Sequence, residues 1–129
     1  MIHVICGPPC AGKSTYIRER ASPGEIVIDF DRIAEAIGAS TSHQAHGKVW
    51  EAAQAARSAL IDFTLESADT AWIIDSLPSD NSRKRYETAG AEFTVLDPGI
   101  DVCMERAEER PDGTANAIKI GRASCRERV

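Results

Sequence analysis

Residues 7–14 read Gly7-Pro8-Pro9-Cys10-Ala11-Gly12-Lys13-Ser14, the pattern GxxxxGK[ST], and Thr15 follows. The run Ile2-His3-Val4-Ile5-Cys6 in front of it is short, apolar and rich in β-branched residues, fit for a buried strand. A helix-forming stretch follows, so the motif stands in the strand–loop–helix setting that gives it meaning. Gly7 and Gly12 permit torsions and a close approach that a Cβ would block. Backbone N–H groups and a helix N-terminus then converge on a phosphate. On this reading Gly7, Pro8, Pro9, Cys10, Ala11, Gly12, Lys13, Ser14 and Thr15 cradle ATP. Lys13 bridges its β- and γ-phosphates, the Ser14 hydroxyl holds Mg²⁺, and Thr15 lies near the α-phosphate. Cys6 and Cys10 have no downstream cysteine or histidine pair, so they do not form a zinc site.

Carboxylates mark a second group of positions. In open α/β sheets ligands bind beyond the carboxyl ends of the strands. Asp29 and Asp31 follow the apolar run Ile26-Val27-Ile28. Asp75 and Ser76 follow Ala71–Ile74, and Asp97 follows Glu92–Leu96. Phosphoryl transfer needs a carboxylate to orient the acceptor hydroxyl and take its proton, and Asp31 is the candidate base. Asp31 is also expected to cap the helix that follows it. Asp29 is either a contact to substrate or Mg²⁺-bound water, or a turn residue. Asp75 occupies the place of a second metal-binding carboxylate, but no Glu follows it, so the signature of a hydrolytic ATPase is missing. Arg106 and Arg110, one turn apart on a charged helix, are positioned to fold over ATP and neutralise charge on the transferred group. The other reading is a solvated face paired with Glu105 and Glu109. Arg83, Lys84 and Arg85 either meet a phosphorylated substrate or decorate a helix. His43 and His46 read as surface residues of a polar connection.

The elements that must position these groups alternate in type. Strands are expected at Ile2–Cys6, Glu25–Ile28, Ala71–Ile74 and Glu92–Leu96. Helices are expected at Lys13–Arg20, from Asp31 to Gly38, at Lys48–Glu66, from Ser79 to Gly90, and at Asp101–Arg110. The long helix carries Val49, Ala53, Ala56, Leu60 and Phe63 at helical intervals, taken as its buried stripe. Alternating strands and helices with apolar strands predict an α/β fold, a parallel sheet covered on both faces. The whole is one domain: 129 residues, 43% hydrophobic and 27% charged, with a formal net charge of −5. An acidic chain lacks the broad basic field of a nucleic-acid coat. No apolar run reaches the roughly 20 residues of a membrane span. The expected location is the cytoplasm, without a membrane partner.

The last residues stand apart. Ile120–Val129 reads IGRASCRERV and back-translates, codon by codon, into a common short-read sequencing adapter. Residues 119–129 are therefore expected to be non-native, with 1–118 as the natural, C-terminally truncated domain. Leaving out that tail removes four basic residues and one acidic residue, which takes the net charge from −5 to −8.

The order of motifs resembles the small P-loop kinases, in particular the 5′-kinase domain of phage-type polynucleotide kinases. GPPCAGKST looks like that family's phosphate loop. VIDFDRIAEAI looks like the segment bearing its catalytic aspartate, which falls on Asp31. WIIDSLPSDNSRKRYETAG and TVLDPGIDVCMERAEERPDGT resemble the later strands with the arginine-bearing lid. The resemblance spans residues 1–118. It implies a P-loop sandwich with strand order 2-3-1-4 and a fifth strand beyond the truncation. It also implies ATP and Mg²⁺ as ligands, catalytic roles for Lys13, Asp31, Arg106 and Arg110, and Ser14 with Asp75 at the metal. The implied acceptor is a nucleic-acid 5′-hydroxyl. The family's arginine three residues after the catalytic aspartate is Ala34 here. Kinases of sugars, antibiotics or nucleotide-sugars share the same core and remain alternative readings, as does an AAA-type ATP hydrolase.

Overall fold

The computed structural model describes residues 1–40, 46–67 and 69–107. Among these residues nine elements follow one another: β1 (Ile2–Cys6), α1 (Lys13–Arg20), β2 (Ile26–Ile28), α2 (Phe30–Ala36), α3 (Gly47–Ser67), β3 (Ala71–Ile74), α4 (Asp80–Thr88), β4 (Glu92–Val95) and α5 (Ile100–Ala107). The strands form one sheet in the order β2-β3-β1-β4, as expected. Every pairing is parallel, with Val4 opposite Ile73 and Phe93, and Ile28 opposite Ile73.

Side chains alternate across a strand, so this register sorts the core into two faces. Ile2, Val4, Cys6, Ile28 and Ile73 share one face, where Ile61 of α3 and Tyr86 of α4 pack on them. Ile5 and Trp72 point to the other, against Ile17 of α1. Near the loop, Cys103 of α5 meets Ala11, Cys10 and Leu96. Among the described residues, no helix is long and apolar enough to cross a membrane.

Three expectations need correction. Asp31 does not cap α2. Asp29 does: its carboxylate accepts the Asp31 N–H at 3.1 Å, and Asp31 sits in the first turn. A capping side chain must precede the N–H it satisfies, and only Asp29 is so placed. The buried stripe of α3 is also turned. Ala53, Ile61 and Thr64 are buried, whereas Leu60 and Phe63 are 38% and 61% exposed. One residue is a rotation of about 100° around a helix. This helix has apolar residues on two sides, so spacing alone did not choose between them. Finally, β4 stops at Val95 rather than Leu96, whose N–H still bonds to the Cys6 carbonyl at 2.9 Å.

Away from the site, a polar strip ties the far ends of the strands. His3 stacks on Trp72 with ring centroids 4.1 Å apart, and Trp72 Nε1 donates to Glu25 at 3.1 Å. The Ser22 N–H also donates to Glu25, which holds that carboxyl below its usual range. A group depressed in this way stabilises the fold above the ordinary carboxylate pKa and loses that contribution as pH falls through its folded value.

The tightest constraint is Gly7, with φ 142°, where a Cβ would lie 2.2 Å from the Leu96 carbonyl oxygen. Gly24 has φ 90° but open space around it. Gly7→Ala is expected to cost about 2–4 kcal/mol, from backbone strain plus collision with a main-chain atom. Gly24→Ala, with strain alone, is expected to cost about 1 kcal/mol. Urea melts of both variants separate the two terms.

Candidate functional site

Strands β1, β2 and β3 end at the floor of a cavity of about 930 Å³. The loop after β1 forms one wall from Pro9 to Thr15. Asp29, Phe30 and Asp31 come from the start of α2, Gln54 and Arg57 from α3, Ile74, Asp75 and Ser76 from the end of β3, and Arg106 from α5.

The loop is built by its torsions. Gly7 turns the chain out of β1 while its N–H bonds to the Ser76 carbonyl at 3.2 Å. The Ala11 N–H returns to the Pro8 carbonyl at 3.2 Å. Cys10 adopts φ 64°, alone among the described non-glycine residues in having positive φ, and Gly12 at φ 92° starts α1 without a side-chain cap. Left-handed torsions on a residue with a Cβ are uncommon and cluster at ligand sites. Two cations close the loop. Lys13 Nζ donates to the Gly7 and Pro8 carbonyls at 2.9 and 2.7 Å, and Arg106 Nη1 donates to the Cys10 carbonyl at 2.7 Å.

Asp29 is 6% exposed and uses both oxygens. Oδ1 takes the Asp31 N–H, and Oδ2 accepts the Ser14 hydroxyl at 3.1 Å. One carboxylate thereby joins the first turn of α1 to the first turn of α2. Asp31 lines the cavity beside it.

Asp75 is engaged from behind. Its Oδ2 accepts the Tyr86 hydroxyl at 2.9 Å and lies 3.5 Å from Arg57 Nη2. Arg57 Nη2 also donates to the Ile74 carbonyl at 3.1 Å. Burial, reinforced by the Asp75 charge, drives the Tyr86 phenol far above its ordinary value near 10.

Most residues singled out in the sequence thus meet around one space: Lys13, Ser14, Asp31, Asp75 and Arg106, with Asp29 joining two of its walls. Arg110 and His43 lie outside the described residues. His46 is exposed. Asp97 accepts the Gly99 N–H at 3.2 Å as a turn residue. Arg83 pairs with Glu87 and Arg85 with Asp62, and neither they nor Lys84 line the cavity. Gln54, Phe30 and Arg57 were missed. Arg57 stands on the face of α3 that holds Ala53, Ile61 and Thr64, and that face is marked as the inner one only by how the helix docks.

No protein-family profile and no curated protein matches the chain. Among solved structures it is similar to a chain in "Structure of the Pnkp1/Rnl/Hen1 RNA repair complex", with a TM-score of 0.73 and 15% sequence identity. The match covers 99% of this chain and 45% of that one, so this chain spans less than half its neighbour's length. At that identity the likeness establishes the shared α/β fold.

The Tyr86 environment is directly measurable. The chain has two tyrosines, Tyr16 and Tyr86. A phenol pKa raised on folding adds stability that is complete below about pH 10 and is lost as pH rises through the folded value. Titrated by phenolate absorbance, the folded protein is expected to hold Tyr86 protonated well beyond the ordinary phenol range. Tyr86→Phe should abolish the delayed step.

Proposed function

We propose that this chain transfers a phosphoryl group from ATP to a hydroxyl acceptor, with a nucleic-acid 5′-hydroxyl as the acceptor the comparison favours. The observation that carries this reading is the shared cavity. A GxxxxGK[ST] loop with its lysine and serine forms one wall, and a carboxylate suited to a general base, Asp31, stands at the start of α2. The similarity to a chain from an RNA repair complex supports a nucleic-acid acceptor.

The donor set fits ATP with Mg²⁺. The Ser14 hydroxyl and the carboxylates of Asp29 and Asp75 line one cavity, and Mg²⁺ takes few protein oxygens beside its water and phosphates. Ser14 would hold it, with Asp29 or Asp75 reaching its water. When bound, the ion offsets the charge of the phosphate oxygens.

The chain's own groups then divide the work. Lys13, already pointed at the loop carbonyls, exchanges those bonds for β- and γ-phosphate oxygens. Asp31 orients the acceptor hydroxyl. As the new P–O bond forms and the bond to the leaving ADP oxygen breaks, the hydroxyl proton passes to Asp31. Arg106, anchored on Cys10, brings a guanidinium to the loop wall where charge builds on the transferred group.

Asp31→Asn tests the assignment. Transfer of label from γ-labelled ATP is expected to fall about 10²–10⁴-fold, while nucleotide binding stays near wild type. Lys13→Ala should instead weaken nucleotide binding itself. Full-rate transfer by Asp31→Asn would remove Asp31 as the base. A panel of 5′-hydroxyl oligonucleotides, nucleosides and sugars identifies the acceptor, and label on sugars alone would exclude the nucleic-acid reading.

A further inference from the structure

The outer face of a surface helix is ordinarily polar, with its apolar residues turned to the core. α3 departs from this. Its inner side buries Ala53, Ile61 and Thr64 and brings Gln54 and Arg57 to the cavity. Its outer side is apolar as well. At about 100° per residue, Ala52, Ala56, Ala59 and Phe63 fall within about 60° of one another, turned away from the buried set. Ala52, Ala59 and Phe63 are exposed and Ala56 is half-buried, with exposed Ala55 and Leu60 on the two flanks. Phe63 is 61% exposed. Single exposed apolar residues are ordinary, but an unbroken stripe along one helix is a contact surface awaiting a partner.

The charges at the ends of the stripe point to what that partner is. Lys48 stands at the N-terminal end and Glu66 at the C-terminal end, about five turns apart and on one flank. The Lys48 side chain is 96% exposed and pairs with Glu51 at 3.0 Å, a surface pair of little worth. Glu66 is exposed and has no ion-pair partner among the described residues. Size is distributed in the same way, with small Ala52 near one end and large Phe63 near the other. A two-fold axis level with Arg57 and Ser58 exchanges the two ends and leaves each flank on its own side. It sets Ala52 against Phe63 of a second copy, Ala56 against Ala59, and Lys48 beside Glu66. Every pair is then made twice. The parallel arrangement stacks Phe63 on Phe63 and sets Lys48 on Lys48 and Glu66 on Glu66, so like charges exclude it.

We propose that α3 is the contact face of a symmetric dimer, docked antiparallel on α3 of a second copy of this chain. The alanines let the two helices approach closely, and Phe63 of each copy fills the space over Ala52 of the other. The interface is one helix wide, at the low end of specific contacts, so its Kd is expected at about 10–100 μM. This dimer does not depend on the phosphoryl-transfer reading. Gln54 and Arg57 lie on the other side of α3, and each copy keeps its own cavity away from the contact.

Sedimentation equilibrium of the full chain from about 5 to 300 μM tests the proposal. Wild type is expected to pass from monomer to dimer over that range and to go no further. A partner of another kind, or a further segment of a longer chain, would leave this chain monomeric, and that result overturns the proposal. Larger assemblies overturn it too. Phe63→Glu is expected to weaken association at least about tenfold, while its melting curve stays near wild type because the side chain is exposed. Association unaltered by Phe63→Glu overturns the contact face. Charge exchange tests the register. Lys48→Glu and Glu66→Lys each set like charges together at both ends and should weaken the dimer about three- to tenfold. The two exchanged together restore opposite pairs and should recover the wild-type Kd within about twofold. Single exchanges without effect, or a double exchange as weak as either single, overturn the antiparallel arrangement.

Discussion

The passage of the chain out of β1 governs the rest of the molecule. β1 lies between β3 and β4, and its buried residues serve both faces of the sheet. At Gly7 the backbone turns beneath the end of β4, against the Leu96 carbonyl, while its N–H takes the carbonyl of Ser76 beyond β3. One residue without a side chain thus pins the loop between its two neighbouring strand ends. Every group of the cavity is measured from that point. α1 starts six residues later, α5 packs Cys103 on Ala11, and Arg106 reaches Cys10 from there.

Charge in the cavity is held by the main chain as much as by opposite charge. Lys13 and Arg106 rest on carbonyls of the loop, and Arg57 on the carbonyl of Ile74. Such bonds fix where each cationic group stands on the cavity wall. Asp75 is treated differently, with a phenol and a guanidinium behind it. The phenol stays protonated and so remains a donor. The cost of burying the carboxylate is thereby offset by two partners.

Much of this was legible in the chain's spacing. Strand positions, the parallel sheet and the loop follow from short apolar runs and a motif whose chemistry fixes its context. Asp75, Asp31 and Arg106 follow from the rule that ligand groups sit past strand ends or on the helices that cover them. What escaped belonged to long-range packing. Leu60 and Phe63 look as core-like as Ile61, and the choice was made by how α3 docks on α2 and β2. Arg57 was hidden by the same uncertainty, because its meaning depends on which face of α3 is inside. The capping of α2 turned on one residue: both Asp29 and Asp31 suit a cap by type, and only position relative to the N–H separates them.

Asp29 has a consequence that reaches across the site. Its two oxygens are divided, one to the Ser14 hydroxyl and one to the Asp31 main chain. The carboxylate is a rigid planar group, buried and hemmed in, so its oxygens cannot move independently. The starts of α1 and α2 are therefore held in one relative orientation by a single side chain, and removing that carboxylate would take away both bonds at once.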